Sequence, residues 1–313
     1  MNFFLTETPD NPAPYNASAG FILARDGTPL RWAIFRTAVR PHFGTVILLP
    51  GRNEPIEKYF ETASDLAALG YDIVTADWRG QGFSGRMLAN PRPGHVRSFV
   101  DYVLDLRELF ETVVLPDCRA PFHVLAHSMG GLSALFSAPF LVNQISRIVL
   151  SAPLFAFADW PFETRTLRRL SEAAILAGFG NRYFTGSRER PVPFAVNKLT
   201  TDPVRHARNL ALRRLAPELA LGGPTWRWIN AACRAIEKVT DPDFLARVHV
   251  PTLMIIAGAD EVVSNSAIED VAGRLRSGSH ITIDGARHEL LQEADVYRDP
   301  FLAAFHAFAS GGG

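Results

Sequence analysis

Cysteine is nearly absent: Cys118 and Cys233 are the only two in 313 residues. Two thiols do not make a disulfide framework, and they read as reduced core or surface groups. No apolar run reaches the roughly 20 residues that a membrane-spanning helix needs. The N-terminus, Met1-Asn2-Phe3-Phe4-Leu5, lacks the basic segment and long apolar stretch of a secretory leader. Charge of one sign is not in excess, with Lys and Arg totalling 32 and Asp and Glu 32. Global attraction to nucleic acid is therefore not implied, and neither zinc-ligand spacing nor a base-reading motif occurs. These absences point to a cytoplasmic globular protein without a nucleic-acid partner. They are silent on oligomeric state.

Hydrophobic residues make up 47% and charged residues 20%, the balance of a chain with one substantial core. The length suits a large α/β domain carrying an insertion. Residues 20–38 alternate around the turn Asp26-Gly27-Thr28-Pro29, the pattern of an antiparallel hairpin at a sheet edge. Short apolar runs then alternate with helical periodicity. Strands are predicted at Thr45–Leu49, Tyr71–Ala76, Phe122–Ala126 and Ile145–Ser151, and helices at Ile56–Leu69, Ser98–Val114 and Gly130–Phe140. The alternation predicts a mostly parallel sheet flanked by helices. It stops at about Leu154 and resumes with a strand in Pro251–Gly258, another at His280–Ile283 and a helix at Pro300–Ala309. The last residues, Ser310-Gly311-Gly312-Gly313, read as a flexible tail.

The core is thus expected to comprise residues 1–153 and 246–313, with 154–245 inserted as a helical cap. Ligands in such sheets bind at the carboxyl ends of the strands, where a cap would roof them. Between residues 155 and 245 there are 12 Arg and 2 Lys against 9 Asp and Glu, an excess of five positive charges. Leu167, Leu170, Ala174 and Ala177 recur at helical spacing between Arg165, Arg168, Arg169 and Glu172. This is an amphipathic helix packed on the core with a solvated charged face, or an apolar mouth with a basic rim for a lipid or membrane surface.

Val124-Leu-Ala-His-Ser-Met-Gly-Gly131 carries the strongest chemical signal. A buried strand leads through a sharp turn holding Ser128 into a helix, the arrangement of a nucleophile elbow. The helix must pass close to the strand, so the residues two before and two after the serine must be small. They are Ala126 and Gly130. A serine needs a base, and the base needs a carboxylate to orient it. In chain order these follow as Asp260, in Gly258-Ala-Asp-Glu-Val-Val263, and His288, in Asp284-Gly-Ala-Arg-His-Glu289. Each stands just after a predicted strand. Glu261 competes with Asp260, while His280 lies on a strand and His306 in the closing helix. His127, beside the serine, is expected to face elsewhere on the elbow.

An oxyanion needs two converging N–H donors. The Met129 N–H is one candidate. The other is the Arg52 N–H in Leu49-Pro-Gly-Arg-Asn-Glu54, where Gly51 permits a tight turn. The Arg52 side chain either meets an anionic substrate or pairs with Glu54 or Glu57. The glycine-rich stretch Asp77–Gly85 lacks the lysine and spacing of a phosphate loop. It reads as structural, with Asp77 and Arg79 holding backbone turns.

Taken in order, Pro50–Glu54, Asp77–Gly85, Ala126–Gly130, Gly258–Val263 and Gly285–Glu289 resemble the lysophospholipase and monoacylglycerol lipase branch of the serine α/β-hydrolases. The departures are Pro50-Gly51 for the common His-Gly, and Ala126 for glycine. The resemblance implies the α/β-hydrolase fold and hydrolysis of monoacyl lipid esters through an acyl-enzyme, with no metal and no organic cofactor. Phe155, Trp160, Tyr183 and Trp226 are the candidate substrate-binding aromatics of the cap. Peripheral membrane contact through the basic cap would follow from the same reading. A small-ester carboxylesterase, a thioesterase or a carbon–carbon bond hydrolase would use the same three residues. A non-catalytic scaffold that binds a ligand or partner would not need them.

Overall fold

The computed structural model describes residues 4–158, 160–186 and 192–311. Eight strands form one sheet: β1 (Ala17–Leu23), β2 (Pro29–Phe35), β3 (Thr45–Leu49), β4 (Asp72–Ala76), β5 (Phe122–His127), β6 (Ile145–Ser151), β7 (Thr252–Ala257) and β8 (Gly278–Ile283). Their order is β1-β2-β4-β3-β5-β6-β7-β8. The β1–β2 hairpin is antiparallel and lies at one edge. β2 also runs antiparallel to β4, and the pairs from β4 to β8 are parallel. Every residue of β3, β5 and β7 is buried, as a parallel sheet covered on both faces requires.

The helices are α1 (Phe60–Ala68), α2 (Phe99–Leu109), α3 (Leu115–Asp117), α4 (Met129–Leu141), α5 (Thr164–Leu176), α6 (Pro203–Leu215), α7 (Trp226–Val239), α8 (Pro242–Leu245), α9 (Asn265–Arg274) and α10 (Asp295–Ala309). Among the described residues, none is long and apolar enough to cross a membrane. The Ser98 side chain caps α2 by accepting from the Val100 N–H. The predicted helix over Ser98–Val114 is present and runs on to Asp117, with a π-helical stretch at Phe110–Val114 between α2 and α3. β8 begins before His280, and α10 begins before Pro300, which lies inside it. Proline resembles a helix start in sequence because its missing N–H costs nothing in the first turn. Gly312 and Gly313 of the expected tail lie outside the described residues.

Between β6 and β7 the described residues form helices and no strand. α7 buries Trp228, Ile229, Ala232, Cys233 and Ile236 in the main core, packing on α4 and α2. α6 is tied down by Arg205, whose guanidinium bonds Glu61 and Asp295. The stripe expected on α5 is only partly buried. Leu167 is 2% exposed, Leu170 44%. The buried side of α5 continues instead through Ser171, whose Oγ accepts from Asn230 on α7. A small polar residue there closes the helix pair, a choice that hydrophobic periodicity does not register.

Candidate active site

The β5–α4 turn places Ser128 at φ +52° and ψ −115°, a strained conformation for a non-glycine residue. It is held by the Ser128 N–H donating to Ser151 O at 3.0 Å and by Ser128 O accepting from Leu132 and Leu154. The elbow's demand for small residues is visible in the packing. A methyl group at Gly130 would approach the carbonyl oxygens of Leu49 and Pro50 to 2.4 and 2.5 Å. Ala126 is wholly buried yet accommodated.

Three predicted residues meet at this turn. His288 Nε2 lies 3.0 Å from Ser128 Oγ, and His288 Nδ1 lies 2.7 Å from Asp260 Oδ2. His288 follows the β8 turn at Gly285, and Asp260 follows β7, so two adjacent strand ends deliver the pair. The other oxygen of Asp260 accepts from the Val262 and Val263 N–H groups at 2.7 and 3.1 Å. Burial pushes the carboxyl up, but the His288 contact and those N–H groups outweigh it and hold it below its ordinary range. Glu261 points away to Lys198, at 2.6 Å. Ser264, not Asp260, caps α9.

Met129 opens α4, so its N–H has no intrahelical acceptor. The Gly51 N–H is already committed to Glu54 Oε2 at 2.5 Å. That leaves Arg52 as the next backbone group along the loop. Its guanidinium donates to Gly222 O at 3.1 Å and stands over the Trp228 ring.

Beneath the loop lies a buried ionic network that sequence reasoning missed. Lys58 Nζ bridges Glu54 and Glu289, each at 2.6 Å. Glu54 Oε2 also accepts from Tyr59 and lies 3.1 Å from His127 Nδ1. His127 Nε2 is 3.1 Å from His288 O. His127 therefore faces away from the serine, as expected, and joins the Pro50–Glu54 loop to the His288 loop. Burial raises the Glu54 carboxyl, but Lys58 and His127 pull it well below its ordinary range. Burial lowers Lys58, but Glu289 and Glu54 raise it overall. Glu54 and Lys58 stand at the i, i+4 spacing of an ordinary solvated pair, which hid them.

The Asp77–Gly85 loop is structural. Asp77 Oδ1 accepts from Ile56, and Oδ2 from Phe83 and the buried Arg31. Arg79 pairs with Asp105 and Asp26 rather than with backbone. The thiols of Cys118 and Cys233 are free. Burial pushes them up to about 11 and about 12.

Ser128 opens into a cavity of about 600 Å³. Its apolar lining includes Leu154, Phe157, Trp160, Phe184, Leu210 and Trp228, and its polar lining includes Arg52, Asn53, Lys198, His206, Asn209 and Arg213. Of the four predicted aromatics, Trp160 lines the cavity. Phe155 is 2% exposed in the core. Tyr183 bridges to Thr225, and Trp226 packs edge-on against Phe184. None of these three lines the cavity. Phe184 and Trp228 take the places expected of Tyr183 and Trp226, each one or two residues away. On α7 the two-residue step from Trp226 to Trp228 turns the side chain by about 200°, and Tyr183 and Phe184 lie in a non-helical turn, so composition resolves neither choice.

Fold and site together define a serine α/β-hydrolase. Residues 40–295 match the family described as serine aminopeptidase, S33. Lysophospholipase L2 of Escherichia coli is 35% identical over 294 residues, covering 90% of this chain and 84% of that one. The probable lysophospholipase L2 of Haemophilus influenzae is 31% identical over 265 residues, covering 84% and 82%. A monoglyceride lipase from Saccharomyces cerevisiae, solved with a substrate analog, superposes with a TM-score of 0.75 at 20% identity, covering 96% and 100%. The chain belongs to this family and is a serine ester hydrolase of the α/β-hydrolase fold. The resemblance read from its motifs is borne out.

Proposed function

We propose that the chain cleaves monoacyl lipid esters, in the manner of a lysophospholipase or monoacylglycerol lipase, with Ser128 as nucleophile, His288 as base and Asp260 as the group that orients it. The observation that carries this reading is the relay Ser128–His288–Asp260, 3.0 and 2.7 Å long, at the floor of an aromatic cavity. His288 takes the Ser128 proton as Oγ attacks the ester carbonyl. The N–H groups of Arg52 and Met129 receive the oxyanion. His288 returns the proton to the departing alcohol, and a water activated by the same imidazole releases the acid. Asp260 holds the imidazole tautomer and stabilises the imidazolium.

Segment 154–245 acts as the cap that selects the acyl chain. Its helices and loops supply much of the cavity wall, including Trp160, Phe184 and Trp228. The curated relatives support lipid esters as the substrate class. Peripheral membrane contact through the same segment is supported by its exposed side chains. Phe162, Leu170, Leu176 and Phe179 are 44–90% exposed beside Arg165 and Arg169, a mixture suited to an anionic interface.

One panel tests this. Initial rates are measured on p-nitrophenyl esters, a monoacylglycerol and lysophosphatidylcholine, as monomers and in anionic vesicles, with Ser128→Ala as control. Preference for long monoacyl chains, a gain on vesicles and loss of turnover in Ser128→Ala are expected. Activity confined to short esters would retain the relay and discard the lipid assignment.

A further inference from the structure

Helix α6 presents His206, Asn209, Leu210 and Arg213 to the cavity at i, i+3, i+4 and i+7, one face of a helix. Three of these four side chains are polar and Arg213 is cationic, whereas Phe157, Trp160 and Trp228 add aromatic lining. The carboxylates around the cavity are matched. Glu54 and Glu289 share Lys58, Glu261 holds Lys198, and Asp260 faces His288. Arg213 has no carboxylate within 4.0 Å among the described residues. Its one hydrogen bond there runs from Nη2 to Asn53 O at 3.5 Å, the limit of such a contact. Asn53 directly follows Arg52, whose N–H is the candidate oxyanion donor, so the cation touches the same loop. Arg205 fixes the helix through Glu61 and Asp295, and Asn209 is steadied by Gln292. The cationic face is thus held toward the cavity by a rigid element.

Resting on the lipid-ester reading above, we infer that the α6 wall is a subsite for the phosphodiester of a monoacyl phospholipid, with Arg213 as its principal contact. A half-buried guanidinium without a carboxylate is stabilised by an anionic ligand, and its planar fork matches phosphate oxygens. The neutral diol of a monoacylglycerol has no use for it. The aromatic lining takes the acyl chain, and the polar positions of α6 take the head group.

The test compares kcat/KM for 1-lauroyl lysophosphatidylcholine and 1-lauroylglycerol in wild type, Arg213→Gln and Arg213→Lys, below the micelle concentrations. The phospholipid-to-monoacylglycerol ratio is expected to fall roughly tenfold or more in Arg213→Gln and to recover in part in Arg213→Lys. An equal fall on both substrates, or none, overturns the subsite. A second arm measures inhibition of p-nitrophenyl butyrate hydrolysis by sn-glycerol 3-phosphate and by inorganic phosphate. Stronger inhibition by the glycerol ester, weakened about tenfold by Arg213→Gln, supports a lipid head-group subsite. Equal inhibition by both anions marks a free-phosphate site and overturns the lipid assignment. Should wild type cleave neither lauroyl lipid while Arg213 still governs glycerophosphate inhibition, the lipid-ester reading fails and the anion subsite stands. Should wild type cleave both and Arg213 change nothing, the subsite fails and the reading stands.

Discussion

The ionic clusters beneath the catalytic loops and those on α5 and α7 handle charge in opposite ways. Beneath the loops, ions are buried and saturated. Arg31 is fully enclosed and holds both Glu57 and Asp77, while Lys58 joins Glu54 to Glu289. These clusters fasten the loops that carry Arg52 and His288. On α5 and α7, the pairs of Glu172 with Arg168 and Arg234 lie at the surface, with side chains 21–61% exposed. Apolar groups such as Leu176, 90% exposed, face outward nearby. Reaction geometry tolerates little displacement, so it sits where every polar partner is specified. Substrate choice needs only shape and a few polar contacts, and can sit on a more permissive surface.

Substitutions sharpen this contrast. The largest effect belongs to Asp260→Asn, which keeps the side-chain shape but presents the wrong partner to His288 Nδ1. A loss of roughly 10⁴-fold in kcat is expected, with little change in thermal midpoint, as steady-state kinetics and calorimetry will show. A loss below tenfold would mean that another group orients the imidazole. Next in size is the contrast in stability. Arg31→Met leaves two buried carboxylates without their cation and is expected to cost about 3–5 kcal/mol in urea unfolding. Glu172→Gln, on the outer segment, should cost about 1 kcal/mol or less. Comparable losses at both positions would erase the distinction between the two regions.

Much of the fold was legible before any coordinates. β3 and β6 occupy the predicted Thr45–Leu49 and Ile145–Ser151, because short apolar runs between turn residues leave a buried strand few alternatives. The elbow and the two strand-end loops were legible because strand-to-loop position narrows nine histidines to one. The Glu54–Lys58–Glu289 network was not. Its members are 235 residues apart at the extremes, and only the β3 and β8 loop ends bring them together. The cavity wall was half legible: an aromatic-rich segment is plain in composition, but which ring faces inward depends on helix phase. That is why Trp228 lines the site while Trp226 does not. Arg213 looked like any other cation in a basic stretch, and only the course of α6 sets it against the cavity.

The central claim, that Ser128 is a nucleophile activated by His288, is tested most directly by mapping a fluorophosphonate adduct by mass spectrometry. One stoichiometric adduct is expected, on the peptide containing Ser128, formed at least a hundredfold more slowly in His288→Ala, as a general base contributes roughly 10²–10⁴-fold. No adduct on wild type, or one formed at the same rate without the histidine, would contradict it.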